Sequence, residues 1–148
     1  MDVAGNVSAI LANKPREVFS VAPDDTVYDA VKSMADRNVG ALLVLDGDKL
    51  AGLISERDYS RKIMLKGKKS RETKVSEIMS TQLTTIPPNE PVDRCLRLMT
   101  DKRIRHLPVL DGETVVGVIS IGDLVKYVID CQSAAIDHLE NYIHGGFR

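Results

Sequence analysis

The sequence has little of what would tie it to a membrane or an export route. Its longest apolar runs, such as Ala41 to Leu45, are strand-sized and far below the roughly 20 residues that cross a bilayer. The start carries Asp2 and lacks a basic stretch followed by an apolar one, so no secretory signal is expected. The two cysteines, Cys95 and Cys131, have no C-x-x-C spacing and fall in apolar helical patterns, as buried reduced thiols do. A cytoplasmic protein without membrane attachment is expected. The net charge of −1 gives no broad pull toward nucleic acid or anionic lipid.

Catalytic signatures are missing as well. His106, His138 and His144 show no H-E-x-x-H spacing, and His138 and His144 do not share a helix face, so no metal site is expected. No G-x-S-x-G elbow, P-loop or G-x-G-x-x-G stands before a helix, and the acids form no readable acid/base pair. Cys95 lies on an apolar helix face, where packing outweighs nucleophilic use. These absences point away from an enzyme and from a catalytic cofactor.

What is there is an internal repeat. The 148 residues, 43% hydrophobic and 28% charged, suffice for one compact unit. Shifting the chain by 65 residues without a gap lays Pro23 on Pro88, Val27 on Val92, Met34 on Met99, and Val44–Gly47 (VLDG) on Val109–Gly112 (VLDG). The same shift lays Gly52, Ile54, Ser55 and Asp58 on Gly117, Ile119, Ser120 and Asp123. Each half opens with a short β-prone run stopped by proline, VFSVAP or LTTIPP. Val27, Ala30, Val31 and Met34, and again Val92, Cys95, Leu96 and Met99, have the i, i+3, i+4, i+7 spacing of an amphipathic helix. Thr26 or the aspartates before it are suited to cap the first helix and Pro91 to open the second. Two β-runs joined through Asp-Gly follow, and then helices over Tyr59 to Leu65 and Leu124 to Ile136.

The expected architecture is α+β, with two β-α-β-β-α repeats packed about a pseudo-twofold axis, because about 50 residues alone bury too little apolar surface. The expected boundaries are a helical N-terminal segment (1–17), repeat 1 (18–65), a basic linker with a short helix (66–82), repeat 2 (83–130), and a C-terminal helix and tail (131–148). The run KGKKSRETK from Lys66 to Lys74 reads as a flexible, solvated linker and not as a nucleic-acid site. The tail should end its helix at Gly145 and Gly146, leaving Phe147 and Arg148 for a partner.

The tandem order, the P-x-x-x-V-x-x-A/C-x-x-x-M helix and the two G-h-h-S-x-x-D endings resemble paired CBS domains, the Bateman module, of the stand-alone bacterial kind. The resemblance covers about Val18 to Ile129. It implies adenine-containing ligands (AMP, ADP, ATP, NAD or an adenosyl compound such as S-adenosylmethionine) in clefts between the repeats, a homodimer, and signalling to a regulated protein. Helical surfaces with Met64, Tyr127 and Ile143 would serve dimerisation.

Ser-x-x-Asp admits two readings. Ser55 and Ser120 are suited to cap helices, with Asp58 and Asp123 reaching back as shortened capping boxes. Alternatively, each aspartate grips a ribose diol with phosphate near the helix start. By resemblance, backbone groups at Ser20–Val21 and at Thr84–Ile86 would meet the base. Val39, Gly40, Ala41 and Leu42, and Ile104 to Pro108, would flank the purine. Arg57 stands inside the first turn, where the second has Gly122, and Arg61 follows one helical turn later; Arg103, Arg105 and His106 stand where the first half has Asn38, Gly40 and Ala41. The expectation is phosphate held by helix arginines at one site and by strand arginine and histidine at the other. Arg103 and Arg105 as solvated surface, and His106 as a hydrogen-bonded core residue, are the competing readings. The rival to sensing is a structural dimerisation protein.

Overall fold

The 65-residue shift is reproduced in the long helix and the hairpin of each half. In the computed structural model, which describes residues 5–15 and 18–145, the two amphipathic patterns form α2 (Val27–Arg37) and α5 (Val92–Lys102). Val27, Ala30 and Met34 of α2 and Val92, Cys95 and Met99 of α5 are buried. Thr26 Oγ1 accepts the Asp29 N–H at 3.1 Å, while Pro91, which has no N–H to satisfy, takes the cap position of α5. Both helices end in a left-handed residue that is not glycine, Asn38 (φ 55°) and Arg103 (φ 53°).

Each helix leads into a hairpin: β2 (Ala41–Asp46) with β3 (Lys49–Ser55), and β4 (His106–Asp111) with β5 (Thr114–Ser120). Ala41 pairs with Ser55 and His106 with Ser120, and both hairpins slip register at the same place, Val44/Leu45 and Val109/Leu110. Gly47 and Gly112 supply positive φ at the first loop residue. The opening strand differs between the halves. In repeat 1, β1 (Ser20–Val21) runs parallel to β2 and accepts the Leu43 N–H at Phe19 O, 3.3 Å. In repeat 2 the residue equivalent to Leu43 is Pro108, which has no N–H to give. The expected strand there shrinks to a single bridge, Ile86 to Val109.

The first core gathers Val27, Met34, Leu42, Val44 and Ile54, and the second gathers Val92, Met99, Leu107, Val109 and Ile119. The short helices exchange partners. α1 (Val7–Ala12), which precedes repeat 1, buries Val7 and Ile10 in the second core. α4 (Val75–Ile78), which precedes repeat 2, buries Val75 and Ile78 in the first. An approximate twofold between the repeats requires this reciprocity. It also explains the glycine of each G-h-h-S ending: a Cβ at Gly52 would lie 2.8 Å from Ser80 O, and one at Gly117 would lie 2.7 Å from Leu11 Cδ2. The segment after α4 hydrogen-bonds the edge of β3 in both directions between Leu53 and Ser80.

Three expectations are corrected. Residues 66–74 are largely exposed, as expected, but they are not a free linker, because Val27 N–H and Tyr28 N–H donate to Thr73 O and Ser70 O. Thr73 is buried, and the Arg71 guanidinium stacks 4.1 Å over the Tyr28 ring. This segment therefore supplies acceptors to the first turn of α2, where backbone donors lack helical partners. The helix after the first hairpin is broken into α3 (Glu56–Tyr59) and one wide π-turn (Ser60–Met64). Its counterpart, α6 (Ile121–Gly145), joins the expected helix from Leu124 and the expected C-terminal helix into one continuous element. The expectations for Asp2, Gly146, Phe147 and Arg148 lie outside the described residues. Burial, with Glu90 nearby, pushes the Cys95 thiol up to about 11, which makes it an inert core residue.

Candidate functional site

Both Ser-x-x-Asp turns are capping boxes. Asp58 Oδ2 accepts from Ser55 N (3.0 Å) and Ser55 Oγ (3.1 Å), and the Asp58 N–H donates back to Ser55 Oγ at 3.2 Å. Asp123 Oδ2 accepts from Ser120 N at 2.8 Å, and the Asp123 N–H donates to Ser120 Oγ at 3.1 Å. Each carboxylate also has a lysine. Lys62 Nζ lies 3.1 Å from Asp58 Oδ1, so capping uses one oxygen and the ion pair the other. Lys14 Nζ reaches Asp123 Oδ2 at 2.7 Å from just beyond α1 and also donates to Val118 O at 2.9 Å. Burial pushes the Asp123 carboxyl up, but Lys14 and the Ser120 donors outweigh it and hold it below the usual aspartate value.

Two clefts lie between the repeats, and each draws on both of them. The first, about 320 Å³, has Ser55, Arg57 and Asp58 from the start of α3 on one wall. Opposite stand Thr84, Arg103, Ile104, Arg105, His106 and Pro108 of repeat 2. Arg57 Nη1 donates to Arg103 O at 3.5 Å, a direct tie across the repeats. The second cleft, about 790 Å³, combines Phe19, Val39, Gly40 and Ala41 of repeat 1 with Val115 to Val118 and Ser120 of repeat 2, and with Lys14 and Pro15. Both volumes fall in the roughly 300–1,000 Å³ range of small-molecule sites.

This crossing revises the expected division of charge. Helix and strand cations do not serve separate sites: Arg57, Arg103, Arg105 and His106 line one cleft. The physical reason is the twofold, which brings the helix start of one repeat against the strands of the other. Of the expected site residues, Ser20 is exposed, Val21 packs against the first core and Ile86 is buried in the second; none of these three lines either cleft. Asp123 does not line the second cleft; it lines a separate depression, which shares Lys14 with that cleft.

Several residues escaped the sequence reading. Phe19 gives the second cleft an aromatic face, with the Arg37 guanidinium 4.2 Å from its ring centre. Lys14 had one available signal: carried upstream, the 65-residue shift lays it on Met79, beside the edge of the opposite hairpin. His106 and Gly40 line both clefts and form the partition, with His106 Nε2 3.9 Å from the position of a Cβ on Gly40. Burial lowers the His106 pKa; Asp123 opposes that shift, while Lys14 and Arg105 reinforce it. Among the described residues no cluster of His, Cys, Asp or Glu is placed to hold a metal ion, and no helix is long and apolar enough to cross a membrane.

Duplicated halves with exchanged helices and clefts at both helix starts define a two-repeat binding module. The CBS-domain profile matches residues 7–65 and 75–130, and the chain belongs to the CBS-domain family. It is 48% identical over 129 residues to the mitochondrial CBS domain-containing protein CBSX3 of Arabidopsis thaliana, covering 84% of this chain but 63% of that protein. A putative signal-transduction protein with CBS domains from Burkholderia ambifaria superposes with a TM-score of 0.84 at 50% identity, over 86% of this chain and 96% of the other. The CBS domain pair of MJ0100, solved with 5′-methylthioadenosine and S-adenosyl-L-methionine, gives 0.73 at 28% identity, over 82% and 94%.

Proposed function

We propose that the protein is a sensor that binds adenine nucleotides between its repeats and passes the change in shape to a regulated protein. The observation that carries this reading is the first cleft, where Arg57, Arg103, Arg105 and His106 gather with the buried Asp58, whose Oδ2 is used by the cap while Oδ1, met by the partly exposed Lys62, keeps a second acceptor position for a ribose hydroxyl. An adenosine phosphate presents the complementary set: a diol that accepts and donates hydrogen bonds, and an anion suited to guanidinium donors. Because cations of both repeats converge there, a bound phosphate favours the arrangement that brings them together. The shift cannot exceed the ligand's differential affinity for the two arrangements. A homodimer is the form in which such a shift would reach a partner. The second cleft, broader and lined by Phe19 and valines, suits an adenosyl compound with less negative charge, the class found with MJ0100.

Calorimetric titration with AMP, ADP, ATP, NAD and S-adenosylmethionine tests the reading. At least one nucleotide should bind and, at a hundredfold excess over Kd, stabilise the fold by about 2.7 kcal/mol. Arg57→Ala and Arg105→Ala should each weaken the same binding event by roughly 10- to 100-fold, the loss of one charge-assisted hydrogen bond. Absence of binding by every adenosine compound would leave a structural interaction protein as the better account.

A further inference from the structure

The last half of α6 has no core to serve. Beyond Tyr127 the helix contributes nothing to either apolar cluster, and every described side chain from Gln132 to Asn141 is exposed, as is Ile143. Yet this stretch is not polar all round. Val125, Ile129, Ile136, Leu139 and Ile143 are each 47–59% exposed. With Gln132 they follow alternating steps of four and three residues, the 3.5-residue repeat of a coiled-coil seam. Isoleucine holds one seam position at 129, 136 and 143; valine, glutamine and leucine hold the other at 125, 132 and 139.

Building on the homodimer of the proposed function, we propose that α6 pairs antiparallel with α6 of a second copy of this chain. Two features select that occupant and that direction. Antiparallel pairing about a midpoint near Ala134 sets Val125 against Ile143 of the second copy, Ile129 against Leu139, and Gln132 against Ile136, so the seam is complementary to itself. The same register sets Lys126 on one flank opposite Glu140 of the second copy, twice by symmetry. A parallel pair would bring neither charge to the other. Ser133 and Ala135 flank the midpoint, where small side chains let the two backbones approach. A helix of 25 residues is about 37 Å long, so each projecting half would cover the Val125–Ile129 face of the other chain.

Sedimentation equilibrium of the full chain tests this. The protein should be a dimer, and Ile136→Glu with Leu139→Glu should make it monomeric at the same concentration without changing the unfolding of the body, which those side chains do not touch. Lys126→Glu alone and Glu140→Lys alone should each weaken the dimer about tenfold, and the two together should restore it. A monomeric wild type, or a dimer untouched by the seam substitutions, overturns the proposal. Failure of the double reversal to restore affinity overturns the antiparallel register.

Discussion

Replacing Lys14 by methionine, the residue found at the equivalent Met79, isolates what ties the N-terminal segment to the second repeat. The ammonium lies 2.7 Å from Asp123 Oδ2 and 2.9 Å from Val118 O. The two side chains are 30% and 22% exposed, so solvent screens the pair only in part. A hydrogen bond to a charged group contributes about 1.5–3 kcal/mol, and partial exposure argues for the lower end, about 1.5 kcal/mol. For a chain of this length that corresponds to roughly 3–6 °C in Tm. The assay is a double-mutant cycle in urea with Lys14→Met and Asp123→Asn, whose coupling should be about 1 kcal/mol. The sign with pH follows from Asp123. Its folded pKa is depressed below the ordinary 3.8, so the stabilisation is complete above that value and fades as pH falls through the folded pKa. The wild type should therefore exceed Lys14→Met in stability at neutral pH and lose that lead in acid. Additivity within about 0.3 kcal/mol at neutral pH would refute the reasoning, since residues that share no energy do not couple.

Two further outcomes follow from single contacts. A Cβ at Gly52 would meet the backbone oxygen of Ser80, whereas at Gly117 it would meet the end of the Leu11 side chain, which can turn aside. Gly52→Ala should therefore cost about 2–3 kcal/mol in urea unfolding and Gly117→Ala about 1 kcal/mol. Because burial holds the His106 pKa below 6.5, with Lys14 and Arg105 reinforcing that shift and Asp123 opposing it, an anion in the adjoining cleft should bind with uptake of a proton. Nucleotide affinity should rise as pH falls from about 8 to about 6, and His106→Gln should flatten that profile in calorimetric titration.

Much of the fold was legible because it is local. Val27, Ala30 and Met34 announce a helix face, and an Asp-Gly pair between β-runs announces a hairpin, since both depend only on neighbours along the chain. The capping role of Ser55 and Asp58 was readable for the same reason: three residues of separation close the box wherever the rest of the chain goes. The shortened opening strand of repeat 2 was written in Pro108, but reading it required knowing which residue donates across the sheet. The pinning of residues 66–74 onto α2 was hidden for another reason, since a basic run has the same composition whether it is solvated or hydrogen-bonded.

Two halves of equal length, their elements and the turns that carry Asp58 and Asp123 are written along the chain, because periodicity and capping are properties of short stretches. Which half supplies which wall is set by packing. The twofold packing sends α1 to the second core and α4 to the first, places Arg57 with Arg105, and sets Lys14 on Asp123. The Arg57–Arg103 and Lys14–Asp123 hydrogen bonds join residues 46 and 109 positions apart in the chain. No local pattern encodes them, because they arise only when two apolar faces bury each other.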